Sequence, residues 1–346
     1  MTEAEHAGVD VANVTAWFDD NVPSAKAPLS FRLIPGGHSN LTYDVTDDAG
    51  QRWVLRRPPL DHVLATAHDM RREHTIISAL EPTAVPVPPV VGLCTDAGVN
   101  GAPFYVMGYV EGTVVRDTTA ARTLAEPERR QAGESIADVL ADIHAVDVDA
   151  VGLGTLGKRD GYIARQLKRW YSQFQASNEL TGRPVPLVHD VHEALSARIP
   201  EQRTTTIVHG DYRLDNCIVD ASGNVIAVLD WEICTLGDPM ADVGLLVVYW
   251  TEIGDAAAAL LGAPTAVEGF PTRAEMISRY ARRSGRDVSS VDYYVAFGYW
   301  KLACIIEGVY SRYAAGAMGK ADGFEVFDRQ VTSLAVLAAD RVASLA

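Results

Sequence analysis

The sequence is short of several things, and each shortage excludes a class of protein. Only four cysteines occur in 346 residues, Cys94, Cys217, Cys234 and Cys304, and none has a CxxC neighbour. That argues against zinc and against a disulfide framework, and suits a reducing cytoplasm. No apolar run approaches the roughly 18 residues that a membrane span needs. The richest stretch, ADVGLLVVYW, is shorter and carries Asp242. The opening MTEAEHAGVD is acidic and lacks an apolar h-region, so it does not read as a secretion signal. Basic residues are outnumbered, 30 against 45 acidic, for a net charge of −15. With no local basic patch, such a chain repels nucleic acid and anionic membranes. Internal repeats and low-complexity segments are missing too. What is there is a soluble, globular pattern, 48% hydrophobic with a mean hydropathy of +0.02. The length suffices for two lobes, each with its own core.

The pattern changes along the chain. VANVTAWFDD reads as a short amphipathic helix ahead of the main fold. SFRLIPGGHSNLTYDVTDDAGQRWVLRRPP then reads as three strands, with period-two alternation in LTYDVT and a turn at DDAG. A helix over roughly Thr66 to Leu80 follows. VVGLC and PFYVMGYV give two more strands around the turn TDAGVNG. Glu111-Gly112 marks a hinge, beyond which the chain is mostly helical, with Pro127 in the first turn of a long helix. Within this part lie three short strands, TIVHG, CIVD and VIAVLD. Helices over 240–250, 272–284, 290–315 and 324–344 come after them, and Thr272 and Glu275 form a capping box for one. The expected class is α+β, with a β-rich unit over residues 1–110 and a helical one over 111–346. Two such lobes suggest a cleft, where ligands are usually held.

The chemistry concentrates in IVHGDYRLDNCIVD and VIAVLDWE. Asp211 and Asn216 stand five apart on a loop after an apolar strand, the DxxxxN spacing of a kinase catalytic loop. In that arrangement the Asp accepts a hydroxyl proton and the Asn offers an amide oxygen to Mg²⁺. Asp230, fourteen residues on, closes a hairpin expected to bring it back beside Asn216. A hard cation that also binds phosphates needs only one or two such ligands. Arg213 is placed to balance charge on a transferred phosphoryl group. Ahead of the second strand, Gly36, Gly37, Ser39 and Asn40 form a small, polar turn whose backbone can approach phosphates closely.

The third strand offers Arg56 and Arg57, which alternation puts on opposite faces. Arg56 shares its face with Val54 and is the phosphate anchor, with Glu73 of the following helix as partner. Arg57 is expected to matter little. Met107 and Tyr109, at the end of the fifth strand, complete the nucleotide candidates. His209 reads as a structural histidine that shapes the loop. Asp242 is placed to reach back to the loop backbone. His189 and His192 read as a solvated helix face. Arg169, Trp170, Tyr249, Trp250, Tyr293, Tyr299 and Trp300 are candidates for an acceptor pocket, although most aromatics of this kind are core.

HGDYRLDN followed by VLDWE resembles the aminoglycoside phosphotransferase-like family, part of the protein-kinase-like fold. GGHSNLTY, VLRRPP, YIARQLKRW and WEICTLGDPMADVG are most similar to the kinase-like domains attached to acyl-CoA dehydrogenases. The resemblance implies a bilobal fold with a five-stranded antiparallel sheet and one helix in the first lobe and a helical second lobe. It implies ATP, Mg²⁺ and γ-phosphoryl transfer to a small-molecule hydroxyl, with the catalytic Asp on Asp211 and metal ligands on Asn216 and Asp230. Family members phosphorylate antibiotics, small alcohols and hydroxyacyl thioesters. Two departures stand out: the usual strand lysine is an arginine, and no glycine follows Asp230. The first of these keeps a second reading open, a catalytically weak nucleotide-binding module.

Overall fold

A computed structural model describes residues 7–35, 40–60, 69–315 and 326–345. The chain forms two compact units. One is Met1–Gly112 with Ile226–Ile233, the other Thr113–Val225 with Cys234–Ala346.

The first unit is built on an antiparallel sheet of order β1-β2-β3-β5-β4. Its strands are β1 (Ser30–Leu33), β2 (Leu41–Thr46), β3 (Arg52–Arg57), β4 (Val90–Cys94) and β5 (Phe104–Gly108). Tyr43 and Val45 of β2 and Trp53 and Leu55 of β3 sit in one core with Phe31, Phe104 and Val106. The opening helix α1 (Val11–Asn21) is not ahead of the fold but part of this core. Val14 and Phe18, four apart and so on one helix face, are fully buried. The Phe18 ring lies edge-on to Trp53 at 5.8 Å, and Trp17 to Phe104 at 5.0 Å. Helix α2 (Met70–Leu80) is capped by Asp69, which accepts from the amides of Arg71 and Arg72. The helix expected from Thr66 therefore starts at Met70 among the described residues. The turn TDAGVNG winds into a one-turn helix α3 (Ala97–Asn100), because Asp96 caps it and Gly101 ends it at φ 71°.

The second unit holds α4 (Thr118–Ala121), α5 (Glu126–Ala145), α6 (Tyr162–Thr181) and α7 (Pro186–Ser196). It continues with β6 (Thr206–Val208) and β7 (Cys217–Val219); β8 (Val225–Val228) leads out of it and β9 (Thr235–Gly237) back into it. Helices α8 (Met240–Tyr249), α9 (Ala258–Leu261), α10 (Arg273–Ser284), α11 (Val291–Ala314) and α12 (Val326–Ala343) follow. β9 pairs antiparallel with β6, Ile207 opposite Leu236. Three residues are too few for alternation to reveal it in the sequence. Helix α11 is buried through most of its length, from Tyr293 to Ser311. It meets α8 at glycines: a Cβ on Gly244 would lie 2.5 Å from Tyr294. The expected capping box of Thr272 and Glu275 opens α10.

Several expectations change here. His189 and His192 are not a solvated face. His189 Nδ1 is 2.8 Å from the Tyr171 hydroxyl, and His192 stacks on the same ring at 3.8 Å. Tyr293 and Trp300 are core residues whose polar tips bond to the carbonyls of Leu195 and Val188, while Trp250, buried with its Nε1 on the Pro271 carbonyl, also lines a small hollow with Arg213 and Tyr249. Tyr299 is buried as well. All four cysteines are buried, and none forms a disulfide. No described helix is long and apolar enough to cross a membrane.

Candidate active site

In the second unit, β6 ends at Val208 and the chain turns sharply through Gly210, at φ 86°. Such a turn needs fixed backbone partners, and Asp242 in the first turn of α8 supplies them. Its Oδ2 accepts the His209 amide at 2.7 Å and its Oδ1 the Gly210 amide at 2.8 Å. Burial pushes the Asp242 carboxyl up, but His144, His209 and the Gly210 N–H outweigh it and hold it below the ordinary range. His144 Nε2 stands 3.4 Å from Asp242, and its Nδ1 2.8 Å from the Tyr280 hydroxyl. His209, fully buried, accepts the Asp211 amide on Nδ1 at 3.3 Å. It shapes the loop, as read from its place at the strand edge. Tyr212 points inward and donates to the Ile136 carbonyl at 2.9 Å.

Asp211 is left facing outward, its side chain 30% exposed. Asn216, at the end of a one-turn 3₁₀ helix (Leu214–Asn216), donates its Nδ2 to the Asp211 carbonyl at 2.8 Å and to Oδ2 at 2.9 Å. With that nitrogen committed twice, the amide's remaining end is Oδ1, a hard oxygen donor of the kind Mg²⁺ takes. Arg213 lies 3.5 Å from Asp211 Oδ1 and pairs with Asp215 at 2.8 Å. Its guanidinium covers the Tyr249 ring at 4.6 Å. Burial raises the Asp215 carboxyl, with Arg213 opposing. Arg213 is thus a held cation beside Asp211.

In the first unit, Arg56 is the centre of a second cluster. Its Nε lies 3.2 Å from Glu73 Oε2 and its second nitrogen 2.7 Å from Asp230 Oδ1. Burial works against the Arg56 charge, but Glu73, Tyr105, Asp230 and Glu232 more than offset it. Burial pushes Glu73 up while Arg56 pulls it down. The Tyr105 hydroxyl on the neighbouring strand is a further hydrogen-bond partner of Glu73. Asp230 adopts φ 63°, a left-handed conformation that an aspartate tolerates better than most residues. Asn40 donates to Glu232 Oε2 at 3.1 Å, and Arg72 to the Glu232 carbonyl at 3.2 Å. Gly36, Gly37 and Ser39 lie outside the described residues.

The other nucleotide candidates sit on β5 and just past it. Met107 is buried opposite Val54. Tyr109 has its ring covered by the Arg52 guanidinium at 3.4 Å. Arg57, expected to matter little for ATP binding, is a buried strut. It donates to the carbonyls of Gly8, Asn100 and Pro58. Alternation placed it on the far face correctly, but that face turned out to pack against the N-terminal segment.

The structure therefore joins Asp211, Arg213 and Asn216 in one cluster and Arg56, Glu73 and Asp230 in another. Sequence reasoning missed Tyr105, Glu232 and Lys301. The last is a single lysine in the apolar run FGYWKLACII, a signal that was visible. Among the described residues no group of three or more His, Cys, Asp or Glu could cage a metal.

Residues 30–276 match the phosphotransferase enzyme family. The chain is 36% identical over 299 residues to mouse acyl-CoA dehydrogenase family member 10, covering 85% of this chain and 27% of that protein. It is 36% identical over 312 residues to the Arabidopsis thaliana probable acyl-CoA dehydrogenase IBR3, covering 84% and 37%. A crystal structure from Ralstonia eutropha, assigned to the aminoglycoside phosphotransferases, superposes with a TM-score of 0.80 at 30% identity, over 96% of this chain and 98% of that one. The chain belongs to the phosphotransferase enzyme family, in its kinase-like fold, and is a small-molecule kinase. It spans only about a quarter to two fifths of the length of the acyl-CoA dehydrogenase relatives it matches.

Proposed function

We propose that the chain transfers the γ-phosphoryl group of ATP to a hydroxyl of a small molecule, with Asp211 as the base. The observation that carries this reading is the Asp211–Asn216 pair on a loop whose backbone is clamped by Asp242. Asp211 accepts the hydroxyl proton, and Arg213 beside it balances charge on the moving phosphoryl group. Arg56, held by Glu73, anchors the nucleotide phosphates; Asn40, Met107 and Tyr109 belong to the nucleotide side, with Gly36, Gly37 and Ser39 as the phosphate turn. Asn216 and Asp230 supply the oxygens for Mg²⁺. What that ion adds when bound is neutralisation of phosphate charge. Residues 1–110 then act as the nucleotide-binding lobe and 111–346 as the catalytic and acceptor-binding lobe.

For the acceptor we favour a hydroxyacyl thioester over an aminoglycoside-like polycation. Beside the catalytic loop, a pocket is lined by Arg116, Arg213 and Asp215 with Leu246, Tyr249 and Leu261. The hollow is small, about 20 Å³, and its lining brings one carboxylate, where a polyamine would call for several acids. The names of the longer relatives point to acyl-CoA chemistry as well. The test is to incubate the protein with Mg-ATP and a panel of hydroxyacyl-CoA thioesters, small alcohols and aminoglycosides, and to read mass gain of one phosphate. Gain confined to the thioesters supports the reading; gain confined to aminoglycosides overturns the acceptor. Tight ATP binding with no product on any acceptor would favour the nucleotide-binding module, for which Arg56 in the lysine position is the motive.

A further inference from the structure

Lys301 is the one buried lysine among the described residues, 7% exposed in the middle of α11. Its Nζ donates to the Gly210 carbonyl at 3.1 Å, with the Trp170 ring 5.6 Å away. Around it lie Tyr162, Asp242, Leu245, Phe297 and Gly298. Gly210 is therefore gripped from two sides, its amide by Asp242 and its carbonyl by Lys301. It is also the residue immediately before Asp211.

We propose that Lys301 is a positioning residue for phosphoryl transfer: by fixing the Gly210 carbonyl opposite the Asp242 clamp, it sets the direction in which Asp211 leaves the loop. The proposal rests on the reading of Asp211 as the base. Packing alone does not explain a lysine here. A buried ammonium is disfavoured by desolvation, whereas methionine would fill similar space without it. Burial does depress the Lys301 ammonium, opposed by the Asp211 and Asp242 charges and reinforced by Arg169. An ammonium donating to the carbonyl at the root of the base holds the angle of attack, and small misplacements of a reacting group are costly.

The test reads ADP release from Mg-ATP with water as acceptor, for the parent chain, Lys301→Met, Lys301→Gln and Asp211→Asn. Lys301→Met should lower kcat on the order of tenfold to a hundredfold with KM for ATP unchanged and thermal stability unchanged or higher. Lys301→Gln keeps a donor for the carbonyl and should recover most of the kcat. A Met variant with parental kcat overturns the proposal. So does one that unfolds, or that loses kcat only in step with its thermal stability, since Lys301 would then be a structural residue. If Asp211→Asn releases ADP at the parental rate, the base reading fails and Lys301 has nothing to aim. Loss in Asp211→Asn without loss in Lys301→Met sinks the Lys301 proposal alone.

Discussion

The Arg56 guanidinium lies between Glu73, whose side chain is 1% exposed, and Asp230. Removing it leaves a buried carboxylate without its cation, a change that costs about 3–5 kcal/mol in comparable buried pairs. Arg56→Ala should therefore lower the unfolding midpoint and also weaken ATP binding about tenfold to a hundredfold, the loss of a charge-assisted hydrogen bond. Arg56→Lys should recover part of both, because a point charge cannot hold Glu73 and a phosphate together as a fork can. Arg57→Ala should lower stability through its three lost carbonyl contacts and leave the ATP dissociation constant unchanged. Denaturant unfolding and calorimetric ATP titration of the three variants check this. If Arg57→Ala is the one that loses ATP, the face assignment of β3 is wrong. His144 gives a second residue-scale prediction. Burial depresses its imidazole despite Asp242, so the folded chain holds it neutral. Below about pH 6.5 the unfolded chain then binds more protons, and stability falls with pH until the folded value is passed. His144→Gln should remove up to about 1.4 kcal/mol per pH unit of that slope, read from unfolding curves at several pH values.

At the scale of elements, α8 and α11 touch because both present glycines, Gly244 and Gly298. Gly244→Ala must push a methyl group against the Tyr294 backbone, and overpacking of this kind costs about 1–3 kcal/mol. Because α8 also carries Asp242, and α11 carries Lys301, the variant should lose activity along with stability. A variant with both properties of the parent would mean that this close approach is not required. The elements themselves were largely legible, since periodicity gives the five-strand sheet and the long helices. What was not legible depends on partners far along the chain. Strand β9 is too short to alternate, and its pairing with β6 joins Ile207 to Leu236. Helix α1 looks detached until Phe18 meets Trp53. The Arg56–Glu73 pair followed from alternation plus one helix, but Asp230 is 174 positions from Arg56, and no local pattern links them. The histidines of α7 look solvated in the sequence because nothing nearby announces that Tyr171 of α6 covers them.

At the scale of the whole chain, each of the two compact units carries its own cluster of charged and polar groups. The first holds Arg56, Glu73 and Asp230, the second Asp211, Arg213 and Asn216. Both sets consist of oxygen and guanidinium groups, as expected for handling phosphates. Transfer should therefore stop on chelation of divalent cations and return with added Mg²⁺. Activity that persists in excess chelator would remove Asn216 and Asp230 from the account. The measurement that bears most directly on the central claim compares the parent chain with Asp211→Asn for ATP-dependent phosphorylation of the acceptor found by the mass-gain panel. A positioned base typically contributes about 10²–10⁴-fold, so the variant should lose at least two orders of magnitude in kcat while ATP still binds. Equal turnover in the two proteins would contradict the assignment of Asp211 and the mechanism built on it.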